Sequence, residues 1–282
     1  MALSYDMVRD LINMAIIEDL GPDKTDITTD AIFKDHTTTA QILCKEMIVV
    51  CGIDLLRYVY HDIDESLTIT VHHDDGELCT DYTILAEVKG KTSSILKGER
   101  IVLNFLQRMS GVATQTKTYV NAVNNKRIAV LDTRKTIPGY RHLDKYAVLV
   151  GGGHNHRMGL YDMVMIKDNH KNAAGSLVAA MEKIKQTTRG YRVEVEVETC
   201  DEAAIAAAEG CDVIMLDNMD NNEIREASRQ IRAINSDVKI EVSGGITLER
   251  LPSLGLLDID FISCGALTHS VRAVDISMEI AL

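Results

Sequence analysis

Residues suited to catalysis recur where buried strands end in the second half of the chain. Six strands are predicted there, and each is followed by charged side chains, an amide or glycines. In a parallel sheet the carboxyl ends of the strands meet at one edge, and the loops at that edge carry the functional groups of barrels and open sheets. We therefore expect one polar site built from six segments, residues 132–135, 167–170, 194–198, 217–218, 243–245 and 263–266.

The third segment is an alternating E-V-E-V-E run over residues 194–198. Alternation along a strand places its three carboxylates on one face and its valines on the other. At a sheet edge such carboxylates lie in water. Both faces of a parallel sheet are usually covered, however, and a carboxylate there needs a cation, a metal or a sugar hydroxyl as partner. Asp217 ends the next strand, and we expect it to share such a partner with Glu196.

A basic segment lies inside an acidic chain. The formal net charge is −12, yet residues 134–171 hold seven Lys or Arg against three Asp, with four of the nine histidines. A focused positive cleft attracts a small anion, and the arginine fork binds carboxylate or phosphate through two hydrogen bonds. Arg141, Lys145 and Lys171 are interpreted as surface charges. The overall acidity argues against a general nucleic-acid binder.

Glycines accompany the late strand ends. A glycine triplet at 151–153 precedes the basic residues 154–157, and the segments 243–245 and 264–266 follow the fifth and sixth strands. Glycine lets backbone N–H groups approach a phosphate closely, and phosphate sites after the late strands recur in β/α barrels. The sequence therefore predicts a phosphate site at these two segments.

Histidines and cysteines form no metal-ligand pattern in the sequence. His154 and His156 flank one residue, but no nearby Cys or Glu completes a zinc set, so we expect no structural zinc. The six cysteines contain no C-x-x-C pair, a pattern typical of a reducing cytoplasm. The N-terminus lacks the apolar centre of a signal peptide, and no apolar run approaches the ~18 residues of a membrane span. The acidic residues 18–26 are interpreted as a hydrogen-bonded loop, whose role stays open.

The order of the predicted helices and strands differs between the two halves of the chain. Up to about residue 109 they are mixed: a first helix, short β-rich runs at 37–44, 47–51, 67–73 and 83–88, then a long helix over 98–123. After that, strands alternate with helices at 177–187, 201–209 and 221–235, which predicts a parallel sheet with helical crossovers. Its six strands are predicted at 127–132, 163–167, 191–198, 212–217, 238–243 and 259–264.

At these residues the sequence resembles the quinolinate phosphoribosyltransferase family, the carboxylating nicotinate-nucleotide pyrophosphorylases of NAD biosynthesis. The most specific strings are D-T-R-K-T at 132–136, N-H-R-x-G-L at 155–160 and K-D-N-H at 167–170. Other matching strings occur at 18–21, 26–28, 98–100, 103–111, 145–148, 151–154, 216–218 and 265–270. The resemblance covers nearly the whole chain.

This resemblance implies an α/β fold with two domains. The expected N-terminal α/β sandwich covers 1–109 and is joined by 271–282, and the expected catalytic domain, an incomplete six-stranded β/α barrel, covers 110–270. It also implies a homodimer whose active site is shared between subunits, with Arg100 reaching the site of the partner.

The function implied is transfer of the phosphoribosyl group of phosphoribosyl pyrophosphate to quinolinate with decarboxylation, giving nicotinate mononucleotide, CO2 and pyrophosphate. The resemblance implies catalytic roles for Lys135, Glu196 and Asp217, with magnesium on the pyrophosphate held indirectly by the two acids and no organic cofactor. Quinolinate is expected at Arg100, Arg134, His156, Arg157 and Lys167. The other expected substrate-binding residues are Thr133, Ser243, Gly244, Gly245, Cys264, Gly265, Ala266 and His269.

Three other functions stay open on the sequence. A relative associated with molybdenum transport shares much of the motif set, and would form neither CO2 nor nicotinate mononucleotide. A Schiff-base aldolase is suggested by Lys135 and Lys167, although a nucleophilic lysine favours an apolar pocket over an anion site. A phosphate-sensing module without turnover is the third, and the Glu196 and Asp217 pair argues against it.

Overall fold

The structure, a computed structural model, describes residues 3–188 and 190–280. The chain divides into two compact units. The first comprises Met1–Lys117, Thr136–Gly152 and Leu267–Leu282, and the second comprises Thr118–Lys135 and Gly153–Ala266. Residues 136–152, assigned by the sequence analysis to the second domain, thus lie in the first unit; the predicted domain boundaries stay a prediction. Residues 1, 2, 189, 281 and 282 of the predicted domains lie outside the described residues.

The first unit is built on a four-stranded antiparallel sheet in the order β12-β1-β5-β3, with a separate β2-β4 pair. Its strands are β1 (Thr37–Cys44), β2 (Ile48–Val49), β3 (Thr68–Val71), β4 (Leu78–Cys79), β5 (Ile84–Lys91) and β12 (Ile276–Ile280). Its helices are α1 (Tyr5–Leu20), α2 (Ile27–Ile32), α3 (Ile53–Ile63), most of α4 (Thr92–Val123), α5 (Arg141–Val150) and most of α11 (Ala266–His269). The buried apolar face of α3 contributes to the core of this unit, and Gly98 of α4 leaves room there for the Tyr60 ring.

The second unit contains a six-stranded parallel sheet in the order β6-β11-β10-β9-β8-β7. Its strands are β6 (Ala129–Leu131), β7 (Val164–Ile166), β8 (Val193–Val197), β9 (Val213–Asp217), β10 (Lys239–Ser243) and β11 (Phe261–Ser263). Its helices are α6 (Asp168–Ala174), α7 (Leu177–Thr187), α8 (Cys200–Ala208), α9 (Asn221–Ile234) and α10 (Leu251–Leu254). The six predicted parallel strands and the α/β fold class are confirmed.

Local sequence signals explain where the crossover helices begin. Thr199 accepts a hydrogen bond from the backbone N–H of Glu202 and starts α8, and Asp220 forms a capping box with Glu223 at the start of α9. The stripe Ile224, Ala227 and Ile231 of α9 is buried, as an amphipathic crossover helix requires.

The parallel sheet curls into an incomplete barrel. β6 and β7 are its two ends, and residues 154–156 run beside β6: the His154 N–H donates to Val130 O at 2.8 Å, and His154 O accepts from the Asp132 N–H at 3.1 Å. Side chains from opposite parts of the sheet line one interior cavity of about 200 Å³. Among them are Ala129 and Leu131 of β6, Glu194 of β8, Val213 of β9, Glu241 of β10 and Phe261 of β11.

Helix α4 begins at Thr92 rather than near the predicted residue 98. The extra turns start with three buried hydroxyl residues that give no apolar periodicity. Their hydrogen bonds are long-range: Ser94 donates to Asp64 at 2.6 Å, and the Thr92 hydroxyl lies 2.7 Å from Nδ1 of His36. Among the described residues, no helix combines the length and apolar composition that a membrane span requires.

Candidate active site

Sheet register aligns the predicted residues at the carboxyl ends of the barrel strands. Glu196 pairs with Met215, and Asp217 pairs with Ser243. Because side chains alternate along a strand, Glu196, Asp217 and Ser243 share one face, and this is the face that Glu194 and Glu241 present to the interior cavity. The carboxylates predicted to act together therefore lie on neighbouring strands at the same end of the barrel.

Lys167 and Glu196 form an ion pair through Nζ and Oε2. Lys167 follows β7 and is the N-cap of α6, where its backbone N–H donates to Nδ1 of His170 at 3.0 Å. The Lys167 side chain remains 44% exposed, whereas that of Glu196 is 12% exposed. A cation predicted to bind quinolinate thus contacts an acid predicted to bind ribose, so the two expected subsites adjoin.

The loop after β10 interlocks with the end of β9. The Asn218 side chain donates to Asp217 Oδ2 at 2.7 Å, and its backbone N–H donates to Ser243 O at 3.0 Å. Gly244 has a φ of +82°, and a Cβ on it would lie 2.2 Å from Asn218 Oδ1. Arg250 donates from Nη1 to Gly244 O at 3.2 Å, and this hydrogen bond stabilises the loop. The role of Arg250 in holding this loop was not predicted, since nothing in the surrounding sequence indicates that its side chain bonds to the loop.

Replacing Gly244 with alanine is expected to destabilise the protein and to weaken binding of phosphoribosyl pyrophosphate. The left-handed backbone and the overlap with Asn218 together cost about 2–4 kcal/mol of unfolding free energy. Urea unfolding and the KM for phosphoribosyl pyrophosphate measure the two effects. Gly210→Ala is the matched control, because Gly210 also has a positive φ, +74°, but no atom lies within 4 Å of the added Cβ. Equal losses in the two variants would contradict this account of the loop.

Arg134 and Arg157 lie close enough for their charges to interact. Burial and the charge of Arg134 lower the pKa of Arg157 from its ordinary value. Arg157 also donates from Nη1 to Met163 O at 3.1 Å, which holds its side chain along the start of β7. Two guanidinium groups whose charges interact concentrate positive charge, so this part of the site suits a carboxylate or phosphate.

The remaining predicted residues are distributed over both units. In the second unit, the Lys135 side chain is exposed, Thr133 Oγ1 accepts from the Lys135 N–H at 3.0 Å, and Cys264 is buried with its N–H donating to Leu131 O. Gly265 and Ala266 follow Cys264 at the end of the second unit, and Gly245 follows Gly244 in the loop after β10. Arg100 on α4 and His269 on α11 belong to the first unit and are both exposed.

His156 lies next to two acids that the sequence analysis did not connect with it. Its Nε2 is 3.0 Å from Glu194 Oε2 and 3.6 Å from Glu241 Oε1. The expectation that no Glu stands near this histidine was therefore wrong, because the two acids come from separate strands, β8 and β10, and only sheet register brings them together. The alternation in 191–198 was a signal for Glu194, whereas the buried strand around Glu241 gave none.

Two lysines interpreted as surface charges are buried. Lys145 of α5 is 0% exposed, and Lys171 of α6 lies 2.8 Å from Asp168 and 3.1 Å from Glu202. Burial alone would lower the pKa of Lys171, but hydrogen bonds to these two acids raise it above its ordinary value. The surface interpretation of both lysines was wrong; Arg141 is half-buried and donates to Thr136 Oγ1 at 3.2 Å.

Comparison with known proteins places the chain in a family. Models of the N-terminal and C-terminal domains of quinolinate phosphoribosyl transferase match residues 26–110 and 112–279. The chain is 40% identical to a probable nicotinate-nucleotide pyrophosphorylase (carboxylating) of Bacillus subtilis, with 99% of this chain and 96% of that protein covered. It is also 40% identical to the chloroplastic nicotinate-nucleotide pyrophosphorylase (carboxylating) of Arabidopsis thaliana, covering 98% of this chain and 83% of that protein.

Solved structures agree with the sequence relatives. The crystal structure of NadC from Streptococcus pyogenes superposes with a TM-score of 0.94 at 38% identity, covering 99% of this chain and 98% of that one. A nicotinate-nucleotide pyrophosphorylase from Pyrococcus furiosus, at 17% identity and a TM-score of 0.73, shares the fold. The family models span both units and the relatives align over nearly the full length, so the chain belongs to the quinolinate phosphoribosyl transferase family.

Proposed function

We propose that this enzyme, a pentosyltransferase, transfers the phosphoribosyl group of phosphoribosyl pyrophosphate to quinolinate and releases CO2, pyrophosphate and nicotinate mononucleotide. The observation that carries the proposal is the match of both family domains across residues 26–110 and 112–279. The chemistry at the carboxyl ends of the barrel strands supports it, because cations suited to a dicarboxylate adjoin acids suited to a sugar.

Quinolinate is a doubly ionised heterocycle, and its two carboxylates need fixed cations. We assign Arg134, Arg157 and Lys167 to them, with His156 beside Arg157. The positive charge of these groups supports the assignment to an anionic ligand. Arg100, predicted to reach the site of the partner subunit, would supply a further cation.

The sugar diphosphate is assigned to the acids and the glycine loops. Glu196 and Asp217 would hold the ribose hydroxyls, since they share one face at adjacent strand ends. Backbone N–H groups of 243–245 and 264–266, with Lys135 and Thr133, would hold the phosphates. The tight fit of Gly244 against Asn218 supports a loop shaped for close backbone approach.

Reaction begins with rupture of the bond between C1 of the ribose and the pyrophosphate oxygen. The sugar becomes oxocarbenium-like while negative charge collects on the leaving group, which the Lys135 ammonium stabilises by roughly 3 kcal/mol. Glu196 and Asp217 hold the sugar so that the pyridine nitrogen attacks C1 from the opposite side. Attack makes the ring nitrogen positive, and this charge stabilises the electron pair that stays on the adjacent ring carbon when the C–CO2 bond breaks and CO2 leaves. A proton from water then takes the place of CO2 on that carbon. The decarboxylation therefore requires no organic electron sink.

Magnesium enters this proposal with the sugar diphosphate. The donors fit it, because Mg²⁺ prefers carboxylate and water oxygens and usually keeps several waters, and Glu196 and Asp217 offer carboxylates on one face. Bound to the pyrophosphate, the ion would supply further charge stabilisation of the leaving group.

We propose a homodimer as the working assembly, with Arg100 of each subunit entering the site of its partner. The family resemblance and the exposed position of Arg100 on α4 support this assignment. The cytoplasm is the proposed compartment, since all six cysteines are free thiols, as reducing conditions keep them.

Incubation of the purified protein with quinolinate, phosphoribosyl pyrophosphate and Mg²⁺ tests the function. We expect nicotinate mononucleotide by mass spectrometry and one CO2 per nucleotide, with neither product when the sugar diphosphate is omitted. Formation of neither product by the complete mixture would contradict the proposal and favour the relative associated with molybdenum transport. Borohydride trapping of a sugar phosphate on Lys135 or Lys167 would instead favour an aldolase, although the ion pair of Lys167 with Glu196 suits an anion-binding ammonium group.

A further inference from the structure

A cluster of three ionisable side chains lies inside the barrel, one layer below the proposed active site. Glu194 and Glu241 are each 1% exposed, and both lie within ion-pair range of His156 Nε2. Glu194 Oε1 is buried and has no hydrogen-bond partner in the described part of the chain. Nothing in the proposed chemistry uses these two acids, so their retention in the apolar interior needs a reason.

The donors of this cluster lie close enough together to suggest a metal site, but the histidine tautomer argues against one. The backbone N–H of Arg157 donates to His156 Nδ1 at 2.7 Å, so Nδ1 carries the lone pair. In the neutral ring Nε2 then carries the proton and faces the two carboxylates, 3.0 Å from Glu194 Oε2 and 3.6 Å from Glu241 Oε1. A metal-binding histidine has the opposite arrangement, with its lone pair on the metal and its other N–H donated to an acceptor.

The same ring is tied into the segment that carries Arg157. Asp132 accepts the backbone N–H of His156 at 2.9 Å, and His156 Nδ1 accepts the backbone N–H of Arg157. One ring nitrogen therefore accepts a hydrogen bond from the Arg157 backbone, and the other lies 3.0 Å from the Glu194 carboxylate, within ion-pair range. The imidazole thus links the acids of the barrel interior to the backbone of Arg157, the arginine proposed to bind quinolinate.

The two acids differ in their surroundings. Burial and the nearby charge of Glu194 raise the pKa of Glu241 to about 8, against the opposing effects of His156, of the Ser263 hydroxyl and of Lys167. Arg157 and Arg192 line the same cavity and add positive charge around Glu194. This raised pKa favours a protonated Glu241 at neutral pH, because two adjacent buried carboxylates do not both ionise readily.

We propose that Glu194 and Glu241 are positioning residues: from inside the barrel they hold the His156 imidazole, and through it the backbone that presents Arg157 to quinolinate. This inference rests on the proposed function for the role of Arg157. It adds a second role for His156, whose Nε2 faces Glu194 and Glu241 and whose Nδ1 accepts from the Arg157 backbone.

Steady-state kinetics of Glu194→Gln, Glu241→Leu and Glu241→Gln test the positioning role. Glu194→Gln and Glu241→Leu are expected to raise the KM for quinolinate about tenfold, with the KM for phosphoribosyl pyrophosphate changed less than about twofold. Glu241→Gln replaces a protonated carboxyl by an isosteric amide, so it is expected to restore most of the affinity that Glu241→Leu loses. Glu226→Leu, at an exposed acid paired with Arg229, is the control and leaves both constants unchanged.

Equal increases in both KM values, or no change in folded Glu194→Gln and Glu241→Leu, would overturn the proposal. So would stoichiometric Zn²⁺ or Mn²⁺ binding by the wild type that is lost in Glu241→Leu.

A measurement made without substrate distinguishes failure of this inference from failure of the proposed function. In ¹⁵N histidine spectra of the wild type, His156 is expected as the Nε2–H tautomer, shifting in Glu194→Gln. A proton on Nδ1 with a lone pair on Nε2 would contradict the positioning role even if the enzyme makes nicotinate mononucleotide.

Discussion

Arg157→Ala is expected to raise the dissociation constant of quinolinate by about 10- to 100-fold while changing that of phosphoribosyl pyrophosphate less than about threefold. The guanidinium is assigned to a carboxylate of the heterocycle, and its loss leaves the neighbouring Arg134 to hold that charge alone. Since the guanidinium is assigned to quinolinate, and its hydrogen bonds within the described residues go to Met163 and Met165, we expect the effect on one substrate only. Isothermal titration with each substrate separately measures both constants.

Arg229→Ala is the matched control for this experiment. Arg229 carries the same charge in the same unit, but it lies on the exposed face of α9 and pairs with Glu226. The control separates loss of a specific contact from a change in net charge. Equal weakening of both substrates by Arg157→Ala would show that the assigned division of the site between quinolinate and the sugar diphosphate is wrong.

The second large effect concerns the shared site of the proposed dimer. Arg100→Ala and Lys135→Ala are each expected to lower kcat by about 100-fold or more, because each removes a cation from a charged substrate or leaving group. In a mixed dimer one site carries both substitutions and the other carries neither. Random reassociation of equal amounts is therefore expected to recover roughly a quarter of the wild-type activity, as two-fold symmetry requires.

Subunits carrying different affinity tags allow the mixed dimer to be purified before the assay. A dimer of two differently tagged Lys135→Ala subunits is the control and is expected to stay inactive. Absence of activity in a purified mixed dimer would contradict the assignment of Arg100 to the site of the partner, whereas a protein that stays monomeric at assay concentration would contradict the dimer itself.

The strand ends were predictable because their signal is local. Runs such as 212–217 are rich in β-branched and aliphatic residues, and a polar residue marks the end of each run. Parallel topology then requires these ends to meet at one edge, and the ion pair of Lys167 with Glu196 confirms that two of them do. The neighbouring positions of Glu196 and Asp217 follow from the same reasoning.

The buried charged residues could not be predicted, because their partners lie far away in the sequence. Lys171 is buried against Glu202, which belongs to the next crossover, and no helical periodicity distinguishes such a lysine from a solvated one. Glu241 lies in a run that reads as an ordinary buried strand, and it meets Glu194 and His156 only through the sheet register. Buried charges of this kind are satisfied by tertiary geometry, so propensity and pattern do not reveal them.

A crystal structure with quinolinate bound tests the central claim most directly. The account predicts that the two carboxylates of the ligand lie within hydrogen-bond distance of Arg134, Arg157 and Lys167, with the ring nitrogen facing the space above Glu196 and Asp217. His156 is expected to keep its contact with Glu194 rather than turn to the ligand. Quinolinate bound elsewhere, or held with its ring nitrogen turned away from these two acids, would contradict the account.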